Sequence, residues 1–108
     1  MANTFKLKTK ANVGVTTSNV YVVPSATTTV VIGVTLANTS GSSINVGVGV
    51  TRASTDDVSL MKNVPIPQGS SFEFMAGNKV VLETTDTLTV ESDVNNSLDV
   101  ALTIMEIT

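Results

Sequence analysis

The chain has 108 residues, 42% of them apolar and 14% charged, with a formal charge of −3, and it contains neither cysteine nor histidine. This length suits one domain spanning residues 1–108, able to bury roughly 65% of its unfolded surface. The two missing residue types exclude disulfide frameworks, thiol nucleophiles, Ser-His triads and zinc sites built on His or Cys, so no enzyme and no cofactor is expected.

Valine and threonine, 18 and 17 copies, are β-branched and pack well on a pleated surface, which makes an all-β chain the expectation. In the first strand Phe5, Leu7, Thr9, Ala11 and Val13 alternate with Lys6, Lys8, Lys10 and Asn12, which predicts an apolar inner face and a basic outer one. Residues 1–12 are therefore also a candidate docking strand or arm. Val20 to Val23 form a second short strand, ended by Pro24, which cannot donate to a ladder. The segment from Thr28 to Asn38 sets Val30, Ile32, Val34 and Leu36 against Val31, Gly33, Thr35 and Ala37, so both faces are largely apolar and a central strand is expected. A Ser-Gly turn follows, which predicts a hairpin with the next strand, where Ile44, Val46, Val48 and Val50 alternate with Asn45, Gly47, Gly49 and Thr51. The glycines allow close approach of another backbone, that of a neighbouring chain being one candidate.

Beyond a polar connection at residues 52–57 come Val58 to Lys62 and then PIPQGSS at residues 65–71, an extended crossing with a turn. Phe72 and Phe74 read as core positions of the next strand. The pairs Val80/Leu82 and Leu88/Val90 and the series Leu98, Val100, Leu102 and Ile104 mark three more strands, and the last is apolar enough on its other side, at Ala101, Thr103, Met105 and Ile107, to predict burial on both faces. About eight or nine short strands separated by turns predict a β-sandwich, jelly-roll-like or immunoglobulin-like. Alternation locates strands and not their pairing, so both topologies stay open.

The carboxylate clusters Asp56/Asp57, Glu83/Asp86 and Glu91/Asp93 lack the spacing of a calcium loop, and close pairs of acids ordinarily belong to solvated turns; Glu91 and Asp93, sharing a strand face, are the better placed for a cation. No metal ligand set is assigned. A glycan-binding or adhesin module would share the sandwich, but sugar rings are usually gripped by Trp or Tyr, and the chain has no Trp and one Tyr. That residue, Tyr21, reads as packing against the Pro24 turn. GVGV at residues 47–50 has no helix start or Lys-Ser/Thr behind it, which removes a phosphate cradle. Nucleic acid is not an expected partner of an acidic chain with few aromatics. Nor is a membrane: the longest apolar stretch, Val30 to Val34, contains Gly33 and falls far short of the roughly 20 residues that span a bilayer. No apolar run follows Lys6, Lys8 and Lys10 to make a signal peptide, so the chain is expected to stay in the cytoplasm where it is made.

Charge is unevenly spread. Residues 1–55 hold Lys6, Lys8, Lys10 and Arg52 and no acid, while all nine acids lie in residues 56–108. Either one end docks against an acidic protein or strands of the two halves interleave and mix their charges. Few charges and many apolar β positions leave Leu7, Val31, Met61, Met75, Met105 and Ile107 as candidates for burial by self-association. Phe5, Lys6, Leu7, Lys8 and Lys10 are the candidate interface.

The strings YVVPSATTTVVIGVTLANTS (residues 21–40), LMKNVPIPQGSSFEFMAGNKVVLETTDTLTVES (60–92) and SLDVALTIMEI (97–107) resemble small virion structural proteins of tailed bacteriophages. The resemblance implies a non-enzymatic β-sandwich assembled in the host cytoplasm into the virion, as a capsid decoration or cement protein bridging major capsid subunits, or as a neck or tail protein. It further implies a homotrimer, matching a threefold position of the shell, and a glycine in the turn that is Glu83-Thr84-Thr85-Asp86 here.

Overall fold

A computed structural model describes residues 3–52, 56–74 and 80–108. The β-branched runs form nine strands: β1 (Asn3–Val13), β2 (Ser18–Val22), β3 (Thr28–Asn38), β4 (Ile44–Thr51), β5 (Val58–Ile66), β6 (Ser71–Phe74), β7 (Val80–Leu82), β8 (Thr87–Ser92) and β9 (Leu98–Ile107). Two antiparallel sheets result, one ordered β1-β9-β3-β6 with β7 also on β3, the other β2-β8-β4-β5. β6 and β7 lie end to end along β3, pairing Val34 to Ala37 and Thr29 to Val31. The first strand thus pairs with the last, the second with the eighth and the third with the sixth and seventh. This nesting is that of a jelly roll rather than of an immunoglobulin-like sandwich, which settles the topology that alternation left open.

The core is the space between the sheets. Leu36, Val100, Leu102 and Ile104 meet Ile44, Val46, Leu88 and Val90 there, all buried. β4 buries Ile44, Val46, Val48 and Val50 as its alternation predicts, but it forms no hairpin with β3, because the turn between them crosses from one sheet to the other. Burial of this apolar area, worth about 25 cal/mol per Å², is what holds two sheets with no disulfide together.

Three faces differ from the alternation. In β1 the register shifts between Lys10 and Val13, with Asn12 at φ 57°. This bulge turns Val13 into the core but reverses everything before it, so Phe5 and Leu7 point to solvent and the lysines point inward. Residues 3–12 are an integral edge strand laddered to β9. In β3 a shift between Val31 and Gly33 does the same: Val31, expected outside the core, is fully buried with Val34 and Leu36, while Val30 and Ile32 face outward, half-buried. In β9 only the inward set is buried; the opposite side is open, with Thr103 exposed and Met105 and Ile107 half-buried.

Phe72, expected in the core, is 38% exposed because β6 is an edge strand. Met75 and the side chain of Phe74 lie outside the described residues. β5 runs on through Pro65, tolerated because β5 is the outer strand of its sheet. Its neighbour explains the glycines of β4. A Cβ at Gly49 would stand 3.0 Å from the carbonyl oxygen of Val58, and one at Gly47 3.4 Å from that of Met61. The backbone they admit belongs to the same chain.

Candidate functional site

The lysine strand and the two outer sheet faces are where function can lie. Of the lysines, two are engaged. Nζ of Lys6 is 2.8 Å from Oε1 of Glu106, an inward-facing carboxylate of β9 whose side chain is only 7% exposed. Tyr21 donates from its hydroxyl to Oε2 of Glu106 at 2.5 Å, which leaves Thr29 to donate to the tyrosine oxygen at 2.8 Å. Nζ of Lys8 lies 5.9 Å from the centroid of the Tyr21 ring, within cation–π reach. Tyr21 is thus a buried hydrogen-bonding residue that joins the two sheets.

The network sets its own protonation. The hydrogen bond from Lys6, then that from Tyr21, hold the Glu106 carboxyl below the usual glutamate range. Burial, then the bond to Glu106, push the Tyr21 phenol up to about 12. Lys6 and Lys8 therefore cap one end of the sandwich, and Lys10 alone of the three is exposed without such a partner among the described residues.

The same interleaving disperses the charge asymmetry of the sequence. Arg52, from the basic half, donates through Nη2 to Glu83 and through Nε to Oδ1 of Asp86 at 3.1 Å. Asp86 in turn accepts the Glu83 amide at 2.9 Å, closing the turn between β7 and β8. Thr85 in this turn has φ 73°, the left-handed conformation for which the resemblance implied a glycine.

Three more carboxylates hold local structure. Asp57 accepts the Arg52 amide at 3.1 Å, Asp93 the Asn45 amide at 2.9 Å, and Glu91 the Thr17 hydroxyl at 3.2 Å. Glu91 and Asp93 border one shallow hollow of about 150 Å³. Among the described residues, no three carboxylates converge as a metal site would require.

The outer faces of the two sheets contrast. Over the four-stranded sheet lies a polar hollow of about 170 Å³, floored by Gly47 and Gly49 and bordered by Glu91, Asp57 and Thr89. The five-stranded sheet instead shows solvent an apolar surface, on which Phe5, Leu7 and Val81 are 69%, 65% and 58% exposed and Met105, Ile107 and Val30 half-buried. On its outward positions the charged side chains among the described residues are Asp99 and Glu73. Leu7, Met105 and Ile107 were legible as surplus apolar positions; Val30, Ile32 and Val81 were not, since only the bulge in β3 and its pairing with β7 bring them to this face. Met61, another surplus candidate, packs half-buried against the core.

No family model matches the chain, and no curated protein matches it. Among solved structures it is similar to a chain from the work "Bacillus endospore appendages form a novel family of disulfide-linked pili", with a TM-score of 0.60 and 12% identity over 99% of this chain and 87% of that one. At this identity the likeness shows the fold.

Proposed function

We propose that the chain is a structural subunit of a tailed-bacteriophage virion, a capsid decoration or cement protein that stabilises the shell by adding protein interface rather than by chemistry. The observation that carries this reading is the apolar outer face of the five-stranded sheet, where Phe5, Leu7 and Val81 stand in solvent. An apolar surface of this extent on a small domain marks a contact with protein. The resemblance of its strings to small virion proteins supports the kind of particle. The partners are the major capsid protein or another virion protein and further copies of the chain, with Phe5 and Leu7 at the contact and Lys10 on its rim. A neck or tail position uses the same surface.

A second reading, a subunit of a non-covalent fibre, is favoured by the likeness to an appendage chain over nearly the whole sequence. These 108 residues contain no cysteine, so the disulfide linkage of those pili is not open to them. Electron microscopy of purified particles tests the proposal. Sandwich-shaped density repeated over the shell lattice is the expected result; density confined to the neck or tail moves the protein there, filaments support the second reading, and absence from purified virions overturns the virion assignment.

A further inference from the structure

Leu7, Thr103 and Gly33 form one row across the five-stranded sheet, since Thr103 is registered with both of the others. Thr103 is also the middle of the five outward residues of β9, from Asp99 to Ile107. The row divides the face into unlike halves. On one side the outward residues are bulky and apolar: Phe5, Met105, Ile107 and Val30. On the other, Asp99 and Glu73 apart, they are small, with Thr9, Ala101, Thr35 and Ala37 lining, together with Asp99, a groove of about 280 Å³. No atom lies within 4 Å of where a Cβ on Gly33 would stand, so the middle of the face is open.

We infer that a second copy of this chain covers this face, related to the first by a two-fold axis along the row Leu7, Thr103 and Gly33, so that the strands of the two copies run antiparallel. This rests on reading the chain as an assembly subunit and names its immediate partner. The axis carries the bulky half of each copy onto the groove of the other, Met105 over Ala101 and Phe5 over Thr9, while Leu7 meets Leu7. Turning the second copy to run parallel would instead set bulk against bulk, groove against groove, and Asp99 against Asp99.

Four strand widths by nine residues give the face about 19 Å by 30 Å, roughly 600 Å² in projection. That approaches the ~800 Å² of accessible surface per partner in an interface of standard size, and it matches or exceeds the largest apolar patch of a typical monomer. In the antiparallel arrangement Asp99 and Glu73 fall on the rim, where charge is tolerated, and Asp99 already accepts the Asn12 amide at 3.0 Å. An isologous pairing of this kind makes a dimer, unlike the threefold expectation from the resemblance.

Light scattering on the purified chain at micromolar concentrations is expected to give twice the 11.2 kDa of the monomer. Leu7→Glu, which sets two carboxylates on the axis, is expected to raise the dimer dissociation constant about 100-fold with no change in the far-ultraviolet circular dichroism spectrum. Thr103→Glu, at another exposed position of the same row, provides the same test should Leu7→Glu not fold. Because the chain has no cysteine, single spin labels at engineered cysteines report the orientation. Labels at Thr103 are expected about 10 Å apart and labels at Asp99 about 27 Å apart along the strands, before the reach of the label itself. A monomer across the concentration range, a dimer indifferent to both substitutions, or Asp99 labels as close as those at Thr103 would overturn the inference. The virion assignment would then still stand or fall by the location of the protein in purified particles.

Discussion

Lys6 and Glu106 sit on neighbouring strands in diagonal register, Lys6 opposite Ile104 and Glu106 opposite Thr4, and their side chains close to 2.8 Å across the gap. The pair ties the edge strand to the sheet at the point where β1 contributes no apolar residue to the core. Glu106 is held below the ordinary glutamate range by the bond from Lys6 and then by that from Tyr21. A depressed carboxyl contributes stability that is complete above about pH 4.3, the unfolded value, and lost as pH falls through the lower folded value. Glu106→Gln is therefore expected to destabilise the fold by about 1–2 kcal/mol at neutral pH, and the gap from the parent protein should close as thermal melts are taken into acid. A gap that is constant with pH would show that the charge plays no part.

The phenol at the other end of this network gives an alkaline counterpart. The Tyr21 phenol is pushed up to about 12, first by burial and then by the bond to Glu106. The folded state therefore holds its proton more tightly, a contribution present in full below about pH 10 and lost as pH rises through about 12. Since Tyr21 is the one tyrosine of the chain, tyrosinate absorbance reports it alone. The expected titration shows little tyrosinate at pH 10 in the folded protein and half-ionisation near that pH in urea.

Glycine positions in β4 and in the turn before it separate close approach from mere flexibility. A methyl group at Gly49 would lie 3.0 Å from the Val58 carbonyl oxygen and 3.3 Å from Oγ1 of Thr89, whereas at Gly41 it would meet nothing within 4 Å. Gly49→Ala is expected to cost about 1–3 kcal/mol by forcing β4 and β5 apart. Gly41→Ala should be neutral or gain up to about 1 kcal/mol through the unfolded state. Denaturant melts of the two variants, compared with the parent, measure both.

The bounds of β3 and β4 were legible because turn residues flank runs of β-branched side chains, and they coincide with the observed Thr28–Asn38 and Ile44–Thr51. The faces were less so. One extra residue in a strand reverses every side chain before it; the bulge at Asn12 carries no glycine to mark it, and Gly33 at the second leaves open whether the strand bulges or merely lacks a side chain there. The network of Lys6, Tyr21 and Glu106 was illegible for another reason. Tyr21 and Glu106 are 85 residues apart on different sheets, and only the packing of one sheet on the other brings them together. The surplus of apolar positions was readable in composition, but its concentration on one sheet face follows from topology.

Thr85 carries a β-branched side chain at φ 73° in the turn before β8, a conformation that costs an L-residue roughly 1–2 kcal/mol. The turn holds it there through the Asp86 amide to the Glu83 carbonyl at 3.0 Å and the Thr85 amide to the Val23 carbonyl at 3.2 Å. Asparagine tolerates this region and, unlike glycine, adds little freedom to the unfolded chain. Thr85→Asn is expected to raise stability by about 0.5–1 kcal/mol, visible as an upward shift of the thermal midpoint. An unchanged or lowered midpoint would show that the threonine side chain has a role its exposed position does not reveal.

The two sides of β1 should respond oppositely to substitution, because the bulge at Asn12 sends the lysines inward and the apolar residues out. Lys6→Gln removes the bonded cationic partner of a buried carboxylate, leaving Glu106 with the Tyr21 hydroxyl and only the unbonded charge of Lys8, and is expected to lower the thermal midpoint. Lys10→Gln, at an exposed position with no ion pair, should leave the midpoint unchanged. Phe5→Ser and Leu7→Ser act on residues 69% and 65% exposed, so the monomer is expected to lose no more than about 0.5 kcal/mol from either. Their effect should appear in assembly, as faster dissociation from partner protein, since apolar contacts govern the lifetime of a complex more than its approach. If instead Phe5→Ser lowers the midpoint of the dilute monomer while Lys6→Gln does not, the apolar side of β1 faces the core and the lysines face solvent, as simple alternation had it.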